Sequence, residues 1–213
     1  MEPIGNLISG ERLKIASLQD YIVELIYSKL EPSAILYGGT AIWRCYGGMR
    51  FSENLDIYMK NKSVKDLLLL LPKYGLRMLG RDPEFPTNLR VTNGDVSVLI
   101  EAKEGTGEST IREYYRVDGS SLTINVLTPS ELLVGKIEAY LGRRFVRDIY
   151  DLFVLTKFLD KKDNMVRHSL SNFLDTIAPP FDEEILGSLV YAGNASITYS
   201  EISTYLRSWL NDL

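Results

Sequence analysis

Apolar positions change their period twice along this chain. From residue 11 to 30, Leu13, Ile15, Leu18, Tyr21, Ile22, Leu25, Ile26 and Leu30 recur at helical spacing and predict an amphipathic first helix that Pro32 helps to close. The short apolar run Ala34-Ile35-Leu36-Tyr37 stops at Gly38-Gly39, which predicts a buried strand ending in a tight turn, with a helix over 40–46. Residues 55–59 suit a second strand, and 64–71 a helix that Pro72 and Gly75 terminate. Between 76 and 126 the pattern becomes strand-rich. Asn93-Gly94 separates Leu89-Arg90-Val91 from Val96-Ser97-Val98-Leu99-Ile100 and predicts a hairpin, and 122–127 supplies another strand. Thr128-Pro129-Ser130-Glu131 carries an N-cap, a proline at the first helical position and a capping-box acid. Helices are expected after it over 130–141, 146–159, 167–176, 183–191 and 200–210, with Pro179-Pro180 breaking the third from the fourth. The expected organisation is an α/β lobe over 1–127 and a helical lobe over 128–213.

Composition narrows the functions this pattern can serve. With 213 residues and 45% hydrophobic content the chain can bury a sizeable core. A formal charge of -4 argues against nucleic-acid binding through a bulk positive surface, so any such contact must be local. The longest apolar run, residues 67–71, is far short of the roughly 20 residues that span a bilayer. The first residues lack the basic start and apolar stretch of a secretory signal, so a cytoplasmic protein without membrane contact is expected. The single cysteine, Cys45, and the single histidine, His168, exclude an internal disulfide and a Cys/His zinc site. Cys45 reads as a buried small hydrophobe and His168 as a solvated residue. Catalysis must then run mainly on carboxylates, lysine, arginine and hard metal ions.

Three segments hold such groups. Gly38-Gly39-Thr40 lies where a strand delivers the chain to a helix N-terminus, a position whose free N–H groups and dipole favour phosphate. The same glycines also make a plain βα turn, and the lysine and spacing of a Walker motif are missing. Asn54 and Asp56, two apart at the start of a predicted strand, share one face and suit a Mg²⁺ ion, though such a pair also serves turns and caps. The third segment places Lys136 on one helix, Arg143 and Arg144 at a turn, and Arg147-Asp148 with Asp151 on the next helix. Lysine there can neutralise a triphosphate, while Arg143, Arg144 and Arg147 offer a local phosphate-backbone contact; a solvated, ion-paired helical hairpin is the alternative.

In this order the segments resemble the AbiEii/AbiGii nucleotidyltransferase family of bacterial abortive-infection and toxin–antitoxin systems, also found in archaea. The family pattern is a Gly-Gly-Ser/Thr turn, Arg-Phe-Ser-x-Asp-x-Asp, a later strand acid, then Lys followed by Arg and Arg-Asp-x-x-Asp-Leu. Here these read Gly38-Gly39-Thr40, Arg50-Phe51-Ser52-Glu53-Asn54-Leu55-Asp56, Glu101 with Asp95 as its rival, and Lys136 with Arg143, Arg147-Asp148 and Asp151-Leu152. The resemblance covers residues 34–155. It implies an α+β nucleotidyltransferase fold of the DNA polymerase beta-like kind, with a mixed sheet in the N-terminal lobe. It also implies transfer of a nucleoside monophosphate from an NTP to an RNA acceptor, tRNA in some relatives, by a toxin opposed by a separately encoded antitoxin. Carried over by position, Gly38, Gly39, Thr40 and Ser52 bind nucleotide, and Asn54, Asp56 and Glu101 bind Mg²⁺ or Mn²⁺. Asp56, Lys136 and Asp148 are the implied catalytic set. Asn54 departs from the pattern: an amide offers one neutral carbonyl oxygen where a carboxylate is charged, so metal affinity should fall. A weakened enzyme, an inactive relative that binds nucleotide or a partner, and a form engineered to disarm a toxin all remain open.

Overall fold

A computed structural model describes residues 2–81, 88–193 and 197–211, except for the side chain of Arg81. They form two compact units, one of residues 1–45 and 52–127 and the other of residues 46–51 and 128–213.

The first unit opens with α1 (Ile4–Leu7) and α2 (Gly10–Leu25), whose last turn widens into a π-helical segment over Ile26–Leu30. Strand β1 (Ile35–Tyr37) feeds α3 (Gly38–Cys45), β2 (Leu55–Tyr58) feeds α4 (Asn61–Leu70), and five further strands follow. These are β3 (Arg77–Arg81), β4 (Asn88–Thr92), β5 (Ser97–Lys103), β6 (Ser109–Tyr115) and β7 (Ser121–Leu127). Among the described residues they make one seven-stranded mixed sheet in the order β3-β4-β5-β2-β1-β7-β6. β2 runs antiparallel to β1 and parallel to β5, while β1 runs parallel to β7.

Strand periodicity decides what each face of this sheet carries. Leu36, Leu55, Ile57, Val98, Ile100 and Ala102 are at most 1% exposed and form one face, and α2 and α3 pack against the sheet. With a period of two, their neighbours Tyr37, Asp56, Tyr58 and Glu101 must leave the other face, where they are half-buried. The hairpin expected at Asn93-Gly94 is present: the Asn93 side chain accepts from the N–H groups of Asp95 and Val96.

The second unit is helical, with α5 (Pro129–Arg143), α6 (Val146–Leu155), α7 (Asn164–Thr176), α8 (Leu186–Leu189) and α9 (Tyr199–Asn211). Thr128 caps α5 by accepting from the Glu131 N–H. The helix expected over 183–191 is split, a 3-10 turn over Glu183–Ile185 leading into α8, and it ends at Leu189 because residues 189–191 turn to backbone pairing with the segment 46–51. Phe51 N–H donates to Leu189, Tyr191 N–H donates to Met49, and Arg50 bridges Val190. Leu206 and Trp209 of α9 are buried in this unit. Among the described residues no helix is long and apolar enough to cross a membrane.

Candidate active site

In the first unit the expected glycine turn and acid pair meet. The helix expected from residue 40 already begins at Gly38, whose φ of +70° lets the chain turn from β1 into α3 within one residue. A Cβ on Gly38 would lie 2.0 Å from Asp56 Oδ2 and 2.7 Å from its Cγ, so glycine is required for the turn to reach the carboxylate. The Thr40 hydroxyl donates to the Asn54 carbonyl at 2.5 Å, which ties the helix start to the residue before β2. Thr40 is fully buried and its hydroxyl is committed to this bond, so its side chain is not open to a ligand. Ser52 lies in the loop before β2, held through its carbonyl by the buried Gln19 amide at 2.8 Å.

The β2–β5 register sets Glu101 directly beside Asp56. Residues in register on neighbouring strands share a face, so the two carboxylates stand side by side. Asn54, one residue outside β2, donates its amide to Glu101 Oε1 across a long 3.4 Å. The rival acid Asp95 sits in the exposed hairpin turn and pairs with Lys14 at 2.9 Å. Among the described residues no group of three or more acids, histidines or cysteines could hold a metal ion. The donor set at this place is therefore two carboxylates and one amide. Cys45 is buried, which pushes its thiol pKa far up, and His168 is exposed beside Asn172.

The third motif folds within the helical unit as a buried charge cluster. Arg50 grips Asp151 in a two-point pair, Nε to Oδ1 at 2.8 Å and Nη2 to Oδ2 at 2.7 Å. Lys136 Nζ lies 2.7 Å from Asp151 and 3.2 Å from Asp148, and Arg143 binds both oxygens of Asp148 at 2.8 Å. Burial alone would raise the Asp151 carboxyl, but Arg50 and Lys136 outweigh it and hold it below its usual range. A depressed carboxyl stabilises the fold above its unfolded-chain pKa, about 3.9, and loses that contribution as pH falls through the lower folded value. Asp151→Asn should therefore lower the urea midpoint strongly at pH 7, and the gap to wild type should narrow as unfolding is followed toward pH 3.

The arginines proposed for RNA have unequal surroundings. Arg143 is held by Asp148, and Arg144 donates to the Pro179 carbonyl and stacks on Phe181. Arg147 lies over the Phe145 ring, and among the described residues it has no salt bridge; burial and the neighbouring Arg143 both push its pKa down. The sequence pattern gave no role to Tyr37, Gln19 or the Arg50–Asp151 pair, since each depends on a long-range register that local spacing does not contain.

A family model described as the nucleotidyl transferase AbiEii toxin of type IV toxin–antitoxin systems matches residues 20–189. The chain belongs to the AbiEii nucleotidyltransferase toxin family. Similar solved structures include the nucleotidyltransferase toxin MenT4 from Mycobacterium tuberculosis H37Rv, 18% identical, covering 96% of this chain and 86% of that one with a TM-score of 0.62. JHP933 from Helicobacter pylori is also 18% identical, with coverage of 96% and 92% and a TM-score of 0.62. ANT(2″)-Ia, solved in complex with adenylyl-2″-tobramycin, is 12% identical, with coverage of 78% and 99% and a TM-score of 0.51. These likenesses show the nucleotidyltransferase fold. No curated protein sequence matches the chain significantly. Membership makes the chain a nucleotidyltransferase toxin and implies an antitoxin as its counterpart.

Proposed function

We propose that this AbiEii-family protein transfers a nucleoside monophosphate from an NTP to an RNA acceptor, tRNA, in a reaction that depends on Mg²⁺ or Mn²⁺. One observation carries the reading: the first residue of α3 approaches Asp56 so closely that only glycine fits between them. A helix start that favours phosphate and a carboxylate that favours a cation are thereby brought to one place, as a metal–triphosphate complex requires. The residues fit a divalent ion, since Asp56, Glu101 and the side-chain carbonyl of Asn54 are hard oxygen donors with two negative charges among them. When bound, the ion neutralises charge on the transferring phosphoryl group.

The protein's own groups do the rest. Asp56 and Glu101, side by side in register, would hold the cation, and the Asn54 amide steadies Glu101 through its hydrogen bond. N–H groups at the start of α3 hold phosphate oxygens, with the Ser52 loop beside Asn54 as a further nucleotide contact. The acceptor hydroxyl oxygen bonds to the α-phosphorus, the bond to the β-phosphate breaks, pyrophosphate leaves, and the hydroxyl proton passes to solvent. Lys136 is buried between Asp148 and Asp151, so its assignment to triphosphate charge, with Asp148 orienting it, follows from its place in the family motif alone. Arg147, rather than the internally paired Arg143 and Arg144, is assigned to an RNA phosphate.

Asn54 favours a second reading, a weakened or inactive protein that binds nucleotide, because its amide nitrogen turns toward Glu101. Incubation with labelled NTPs, Mg²⁺ and total tRNA distinguishes the two. We expect label on tRNA from the present chain, and about 10-fold more from Asn54→Asp, whose added charge strengthens the cation site. Binding of NTP without label transfer by either folded form would favour the second reading.

A further inference from the structure

The row of side chains that contains Asp56 and Glu101 continues onto β1. Tyr37 stands opposite Asp56 in the β1–β2 register, as Glu101 does in the β2–β5 register, so all three leave the same face in a line. The Tyr37 ring stacks on Tyr58 with 4.3 Å between centroids and 14° between planes. Gly105 backs Tyr58 in turn, because a Cβ there would lie 2.8 Å from two ring carbons. Tyr37 is thus held by a stacked layer that is itself supported, and its ring has little freedom to carry the hydroxyl out to water.

That hydroxyl oxygen is buried and, among the described residues, has no hydrogen-bond partner. The Asp56 and Glu101 carboxylates both lie within electrostatic range of it. Leaving a hydroxyl buried and unpaired forfeits its hydration, and folded proteins rarely keep such a group without a partner from outside the chain. We infer that Tyr37 is a positioning residue of the carboxylate site, its hydroxyl hydrogen-bonding an oxygen ligand of the cation that Asp56 and Glu101 hold. The oxygen belongs to a water on the ion or to a phosphate of the NTP. The inference rests on the metal site proposed above.

The experiment compares wild type, Tyr37→Phe and Asp56→Asn without measuring catalysis. Free Mn²⁺ is followed by electron paramagnetic resonance with protein alone, and labelled ATP, CTP, GTP and UTP are dialysed in turn against protein and Mn²⁺. Tyr37→Phe should weaken binding about 5- to 10-fold, in the Mn²⁺ arm if the partner is water and only in the nucleotide arm if it is phosphate. Without ions, the same variant should melt at or above the wild-type temperature, because an unpaired hydroxyl has been removed. A tyrosine with a purely structural role would instead lower the melting temperature and leave Mn²⁺ and nucleotide affinity alone. Unchanged affinity in both arms overturns the role of Tyr37, while loss of Mn²⁺ binding in Asp56→Asn would keep the carboxylate site standing. Wild type that binds neither Mn²⁺ nor nucleotide overturns both.

Discussion

Gly38→Ala should lower nucleotidyl transfer by about 100-fold or more, the order of loss that a misplacement near 1 Å produces at a reacting centre. The added methyl group would fall 2.0 Å from Asp56 Oδ2, and the φ of +70° is one that alanine adopts only under strain. Something must move, and what moves is the carboxylate or the helix start beside it. Both are parts of the proposed metal–triphosphate site, so the variant should lose Mn²⁺ affinity together with turnover. Single-turnover transfer and Mn²⁺ titration check this on protein whose far-ultraviolet circular dichroism matches wild type. A variant that transfers label normally would separate the glycine turn from the chemistry.

Arg44→Met should destabilise the protein by about 3–5 kcal/mol, the usual result of removing one partner of a buried ion pair. Arg44 and Tyr114 are fully buried and Asp20 is 4% exposed. Arg44 reaches Asp20 at 2.9 Å, the Ala16 carbonyl at 3.1 Å and the Tyr115 carbonyl at 3.0 Å, and its guanidinium lies 4.0 Å from the Trp43 ring centroid. Tyr114 and the Val117 N–H also donate to Asp20. This network joins α2, α3 and β6, and it anchors the end of the helix whose first residues are Gly38 and Gly39. Burial raises the Asp20 carboxyl even with Arg44 opposing it, so without Arg44 the folded protein binds that proton still more tightly. A raised acid gains folded-state stability as pH falls through its folded value, so the deficit of the variant should shrink on acidification. Urea unfolding at pH 7 and pH 5 measures both effects.

Local signals in the sequence located elements well. Helical spacing before residue 30, the Asn93-Gly94 turn and the Thr128 cap each report on neighbours a few residues apart, and each element is present. Strand parity also placed Asn54 and Asp56 on one side. Parity cannot give register, however. That Asp56 faces Glu101 and Tyr37 is fixed by pairing β2 with other strands, so spacing alone leaves Asp95 a rival to Glu101. The Arg44–Asp20 pair is not legible in the sequence, because charged residues on an amphipathic helix ordinarily face water. Residues 46–51 belong to the helical unit because Arg50 answers Asp151, 101 positions later.

The most direct test is a crystal structure of the protein with Mn²⁺ and a non-hydrolysable NTP analogue, read by anomalous scattering. The expected result is Mn²⁺ directly coordinated by carboxylate oxygens of both Asp56 and Glu101, with phosphate oxygens on the N–H groups at the start of α3. Manganese bound away from these two acids, or phosphates lying far from Gly38 and Gly39, would contradict it.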